Sequence, residues 1–475
     1  PFQLRWDGSR LHSHLHTHEI MIRRLAAFVA LSLAIAPIAH SQSLADQYSA
    51  STMRIAQAAL SDSAAWNRIA ELTEKFGNRI SGSESLEHAI DWIVEQMKAD
   101  GLSNVRGEPV MVPRWIRGEE SAAMVGPRMQ NLPMLGLGGS IATPAAGITA
   151  DVMVVTSYDE LTRRAAEAKG KIVLFNVVFT SYGETVRYRS GGAVAAAKAG
   201  AVASMIRSVT PYSQRTPHTG GMSYDSTVTK IPHFAITPED ADMITRLIAR
   251  GEKVRVQVKM SAHFLPDSPS RNVMGELRGR EFPDEVVVLG GHIDSWDVGR
   301  GAMDDAGGVV VAWEALKILK RLNLQPRRSI RAVGWTNEEN GSRGGNGYAA
   351  AHKNEVDKHI LMIESDGGVF RPLGFGFTGS PAGMAVAQQI GALIERAVPG
   401  SGAITPGGGG ADIGPTMALG VPGMGLNVDG TRYFWYHHTD ADTVDKLDPK
   451  EVAQCAAVMA IMAYVVADMP ERMPR

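Results

Sequence analysis

The chain has 475 residues, 44% hydrophobic and 21% charged, which is enough for two domains with substantial cores and excludes a disordered chain. A formal net charge of −2 leaves no basic footprint for nucleic acid or an anionic membrane surface. The single cysteine, Cys455, excludes an internal disulfide and is expected to be a small buried residue in an apolar helix.

Residues 21–41 read as a secretion signal. Met21-Ile22-Arg23-Arg24 is the charged start, Leu25 to Ile38 the apolar run, and Ala39-His40-Ser41 a small-residue cleavage pattern. The run is shorter than the roughly 20 residues a membrane span needs and contains Pro37. The mature chain is therefore expected to begin near Gln42, exported to the periplasm or the medium without a membrane anchor. Residues 1–20 then form a non-native upstream extension, and His12, His14, His16 and His18 are expected to have no role.

Two amphipathic helices are predicted between Ser63 and Leu102, separated by the turn-rich residues 76–83; the second carries the stripe Leu86, Ala89, Ile90, Ile93, Val94 and Met97. Residues 115–262 differ in texture. Short strands at 171–175 and 202–206 alternate with an alanine-rich helix around 193–199, Thr237-Pro238 opens a further helix, and no histidine-acid cluster occurs. This segment is expected to be a small α/β domain inserted between residues 42–114 and 263–475, which together form the larger domain.

From Ser270 onward strand and helix alternate, with strands predicted at 286–289, 329–335 and 359–364 and helices from about 305 and near Tyr348. The pattern predicts a mainly parallel sheet with helices on both faces, whose ligands bind beyond the carboxyl ends of the strands. Each strand ends in potential ligands: His292 and Asp294 after the first, Glu338 and Glu339 after the second, Asp366 after the third. His437 and His438 follow the apolar stretch 421–428. One acid at a strand end is usually a solvated or capping residue; recurrence at one edge points to a metal site.

Zinc favours histidine nitrogen and carboxylate oxygen, and a hydrolytic pair of metals needs a shared carboxylate. Asp304, in the glycine-rich segment HIDSWDVGRGAMDD at 292–305, is the candidate bridge. Asp294, two residues past His292, is placed to receive the other imidazole proton and fix its tautomer. In the Glu338-Glu339 pair one carboxylate can bind metal while its neighbour takes a proton from the attacking water. Acids also cap helices, and Asp305 is expected to hold the turn or cap the helix that follows.

These motifs resemble metallopeptidases of the M28 family, together with FGNRISGSESLEHAI at 76–90, RGEESA at 117–122, GITADVMVVTSYDEL at 147–161, WTNEENG at 335–341, ESDGG at 364–368 and HHTDADT at 437–443. The resemblance covers nearly all of the mature chain. It implies a zinc-exopeptidase sheet with an inserted protease-associated domain and two zinc ions per subunit. It assigns one zinc to His292, Asp304 and Asp366, the other to Asp304, Glu339 and His438, and makes Glu338 the general base. His438 rather than His437 is the implied ligand because it lies four residues before Asp442 of the Asp442-Thr443 pair. The resemblance further implies a cis peptide between Asp304 and Asp305, a peptide substrate and a homodimer. One departure is Gly407 to Gly410 followed by Ala411-Asp412-Ile413, where many relatives carry Ser-Asp-His; without a following Gly-Lys-Ser/Thr it is expected to be a flexible loop beside the substrate pocket, not a phosphate cradle. The same centre is compatible with an aminopeptidase acting on longer peptides or with a catalytically silent binding protein.

Overall fold

The apolar run at 286–289 lies in the middle of strand β3 (Phe282–His292) in this computed structural model, which describes residues 2–3 and 43–475. The expected leader at 21–41 and the upstream histidines lie outside the described residues. Side chains alternate across the strand: Val286 and Val288 join Val333, Trp335, Tyr348 and Ile413 on one face, while Val287 and Leu289 point to the other.

With β1 (Ser103–Ile116), β2 (His263–Leu277), β4 (Arg328–Trp335), β5 (His359–Glu364), β6 (Pro372–Thr378), β7 (Ala403–Pro406) and β8 (Gly423–Val428), β3 forms an eight-stranded sheet ordered β1-β2-β4-β3-β5-β8-β6-β7. Its centre, β4-β3-β5-β8, is parallel. Antiparallel pairs β1/β2, β2/β4 and β6/β8 lie outside it. Helices Gly307–Arg321 and Pro449–Asp468 pack on each other and on β3 and β4. The second is the one helix among the described residues long and apolar enough to cross a membrane, but it is buried in the core. Asp448 caps it, and Cys455 is buried within it. The two predicted amphipathic helices are Ala64–Phe76 and Glu84–Ala99.

Residues between β1 and β2 build a second eight-stranded sheet from Glu120–Gly126 to Arg255–Met260. Its strands Ile148–Val155, Ile172–Phe175, Ala203–Arg207 and His233–Ile236 are mutually parallel. The alanine-rich segment belongs to helix Tyr182–Lys198, and Thr237 caps helix Pro238–Ala249. Strand β1 runs to Ile116 and β2 starts at His263, so the chain enters and leaves this unit along one antiparallel pair.

Candidate active site

Register brings the sequence-predicted residues to one edge. His292 of β3 pairs with Trp335 of β4, and Gly290 pairs with Glu364 of β5, so the segments carrying residues 292–305, 336–342 and 365–368 emerge together. Close packing is needed here: a Cβ on Gly291 would lie 2.1 Å from the Asp305 carboxylate, and one on Gly308 1.9 Å from the carbonyl of Ser365. Asp305 uses this proximity to tie strand to helix, accepting the His292 amide at 3.1 Å and the Gly308 amide at 2.8 Å. The Asp304–Asp305 bond is cis, as the resemblance implies.

Asp304 lies between two imidazoles. His292 Nε2 is 3.2 Å from its Oδ1 and 3.4 Å from Asp366 Oδ1. On the other side His438 Nε2 is 3.2 Å from Asp304 Oδ2 and 3.0 Å from Glu339 Oε2. His437 also approaches, at 3.6 Å from Asp304 Oδ2, and stacks on His438 with ring centroids 3.5 Å apart. The loop carrying Asp304 is held by Asp442, whose carboxylate accepts the amides of Ala302, Met303 and Asp304 at 3.0, 2.8 and 3.3 Å.

Asp294 differs from the sequence-based expectation. The Nδ1 proton of His292 goes to the Asp294 backbone carbonyl at 2.8 Å, while the carboxylate stays 3.7 Å from that nitrogen. The chain turns after β3, and the Asp294 carboxylate instead accepts the amides of Glu338 at 3.1 Å and Glu339 at 3.3 Å, plus the Ser81 hydroxyl at 3.2 Å. It orients the glutamate pair directly and the histidine only through its main chain. Glu338 and Glu339 line a cavity of about 380 Å³ together with Trp115, Gly221 and Phe264.

Other residues hold this geometry without any spacing signal of their own. Arg79 is fully buried and donates to the carbonyls of Ile293, Arg300 and Gly301 at 2.7, 2.7 and 2.9 Å, bracing the 293–301 loop. Its motif, FGNR, is visible in the sequence; its partners are not. Asp297 is engaged by Arg117 at 2.5 Å, away from the ligand cluster. The glycine loop before Asp412 is partly exposed, but it ends in a buried anchor, because the Glu364 carboxylate accepts the amides of Asp412 and Ile413 at 3.1 and 2.9 Å. That end of the segment is fixed rather than flexible.

The electrostatics call for a cation. Burial, reinforced by Asp366 and Glu339, pushes the pKa of Glu338 well above its ordinary value, and burial raises those of Glu339 and Asp366 as well. Burial opposes charge on His292 and His438 too, yet their carboxylate neighbours prevail, raising His292 well above normal and His438 to about 10. Burial likewise disfavours ionised Asp304, but His292 and His438 bring its pKa well below the usual range. Glu339 Oε1 remains buried without a hydrogen-bond partner, and Asp304 Oδ2 faces only the imidazoles of His437 and His438. Mixed imidazole and carboxylate donors with an unpartnered inward oxygen suit divalent metal ions, which would neutralise the crowded acids.

A parallel α/β sheet with such a cluster at its carboxyl edge defines a metal-dependent hydrolase. Residues 272–463 match peptidase family M28. The chain is 48% identical to carboxypeptidase Q of Xenopus laevis over 410 residues, covering 86% of this chain and 87% of that protein. Against carboxypeptidase Q of Homo sapiens the identity is 47% over 410 residues, with 86% of each covered. The crystal structure of a peptidase M28 precursor from Shewanella amazonensis SB2B superposes with a TM-score of 0.87 at 36% identity, covering 90% of this chain and 99% of that one. The chain belongs to peptidase family M28 and is a metallopeptidase acting on peptides.

Proposed function

We propose that this protein is an exported di-zinc exopeptidase that hydrolyses dipeptides or short peptides with free termini. One observation carries the two-metal reading: the two oxygens of Asp304 face separate donor sets, His292 with Asp366 and His438 with Glu339. One zinc is assigned to His292, Asp304 and Asp366, and the other to Asp304, Glu339 and His438. Zinc bound there would polarise the scissile carbonyl and make water nucleophilic near neutral pH.

Glu338 is the general base in this reading. It takes a proton from the attacking water and returns it to the leaving amine. Asp294 fixes the main chain on which Glu338 stands, and Asp442 that on which Asp304 stands. His437 stacks on His438 and is read as its support; His438 is taken as the ligand because it also reaches Glu339, at 3.0 Å. Residues 42–114 and 263–475 make the metal-binding domain, and 115–262 a protease-associated domain. The free-termini preference rests on the likeness to carboxypeptidase Q.

Metal analysis combined with a dipeptide panel tests the proposal. Two zinc ions per chain are expected, with turnover of free dipeptides lost when the amino terminus is acetylated or the carboxyl terminus amidated. Retained turnover of C-amidated longer peptides would establish an aminopeptidase instead. Absence of both metal and peptidase activity would leave a binding protein.

A further inference from the structure

The two imidazoles beside Asp304 are supported differently. His292 takes its orienting hydrogen bond from its own strand end, the Asp294 carbonyl. His438 has no such local partner. Its Nδ1 faces both the carbonyl of Thr219 at 3.3 Å and the Arg189 guanidinium at 3.4 Å; the guanidinium can only donate, so the Nδ1 proton of a ligating His438 goes to Thr219, whose amide donates in turn to the His438 carbonyl at 3.0 Å. Thr219 belongs to the inserted unit, 219 residues away in sequence.

More of that unit converges on the same turn. His218 Nδ1 lies 2.7 Å from the His437 carbonyl, and the Thr210 hydroxyl donates to the Phe434 carbonyl at 2.7 Å. Tyr182 stacks on Phe434, with centroids 5.0 Å apart. Arg189 is buried in helix Tyr182–Lys198 and binds the carbonyls of Thr219 and Gly221 at 3.4 and 3.3 Å and the Tyr182 hydroxyl at 2.8 Å. Gly220 between those carbonyls has φ +132°, and a Cβ there would lie 2.3 Å from the guanidinium. His438 itself has φ +61°, a left-handed backbone that an L-residue keeps only when its surroundings hold it.

We propose that Arg189, His218 and Thr219 make the inserted domain a positioning device for the His438 side of the metal centre. Occupancy of that metal position depends on the docked insert, whereas the His292 position is complete within the larger domain. The inference rests on the two-metal reading. A hydrogen bond to the outer nitrogen of a ligating imidazole fixes its tautomer and direction, and loss of such a partner typically weakens metal binding 10- to 100-fold.

The test is titration of the metal-free, full-length protein with Zn²⁺ against a chromophoric chelator, for wild type, Arg189→Met, His218→Phe and His218→Asn. Wild type should show two binding events. Arg189→Met and His218→Phe should weaken one of them by roughly 10- to 100-fold. The affinity left unchanged should equal that remaining in Glu339→Ala, which removes a ligand on the His438 side. His218→Asn keeps a side-chain donor and should recover most of the loss. Thermal unfolding of each metal-free variant shows whether it folds; if Arg189→Met does not, the His218 pair decides. Equal weakening of both events, or no change in either, overturns the inference. A wild type that binds one ion defeats the two-metal reading, and this inference with it; two ions with unchanged variants defeats the inference alone.

Discussion

Asp294→Asn isolates what the Asp294 carboxylate does from what its main chain does. The side chain is fully buried, and its two oxygens accept the Glu338 amide at 3.1 Å, the Glu339 amide at 3.3 Å and the Ser81 hydroxyl at 3.2 Å. Burial raises its pKa, opposed first by the neighbouring His292 and then by these donors. An asparagine retains one acceptor and turns its NH₂ toward a remaining donor, whichever way the amide is rotated. The lost charge-assisted hydrogen bond costs about 1.5–3 kcal/mol. If that cost appears in the placement of the proton-transferring carboxylate, the rate falls roughly 10- to 150-fold, in line with the ~10²-fold penalty for an ångström of misplacement. The His292 tautomer should survive, because Asn presents the same backbone carbonyl to Nδ1. The expected result is therefore a fall in kcat with KM and zinc content near wild type, read by steady-state kinetics and elemental analysis of one preparation. Loss of zinc, or kcat within threefold of wild type, would refute the reasoning.

Glu338→Gln should keep its zinc and lose roughly 10²- to 10⁴-fold in kcat, the range for a general base; normal activity would remove Glu338 from that role. Glu339→Ala should lose one of two zinc ions by elemental analysis, and unaltered stoichiometry would exclude it as a ligand. His233, buried in the insert and depressed to about 4 from 6.5 by burial, should make that domain acid-labile. A depressed histidine is neutral when folded and gains its proton on unfolding, so stability is complete above pH 6.5 and is lost as pH falls toward 4, by about 3 kcal/mol. Amide exchange of strand His233–Ile236 between pH 7 and 4.5 measures this, and an equally steep acid dependence in His233→Gln would assign the effect to other groups.

The sheet and the acids at its edge were legible for a physical reason. A strand buried on both faces must be continuously apolar, and ligands must follow where such runs stop, so Val286 to Leu289 announce His292 without any knowledge of the fold. Asp294 was misread because spacing reports neighbours along a strand only while the strand continues. Past His292 the chain bends, and the carboxylate meets backbone amides from another strand end, 44 and 45 residues away. The insert presents the opposite problem. Its sequence offers no histidine-acid cluster. Its contact with the His438 imidazole includes the carbonyl of Thr219, and a carbonyl leaves no mark on residue identity. The trace it leaves is indirect: Gly220, where Arg189 approaches the main chain too closely for a side chain to fit. The difference between ligand and support follows the same line. Ligands need particular side chains and are conspicuous, whereas the groups that aim them are mostly backbone and become visible only in three dimensions.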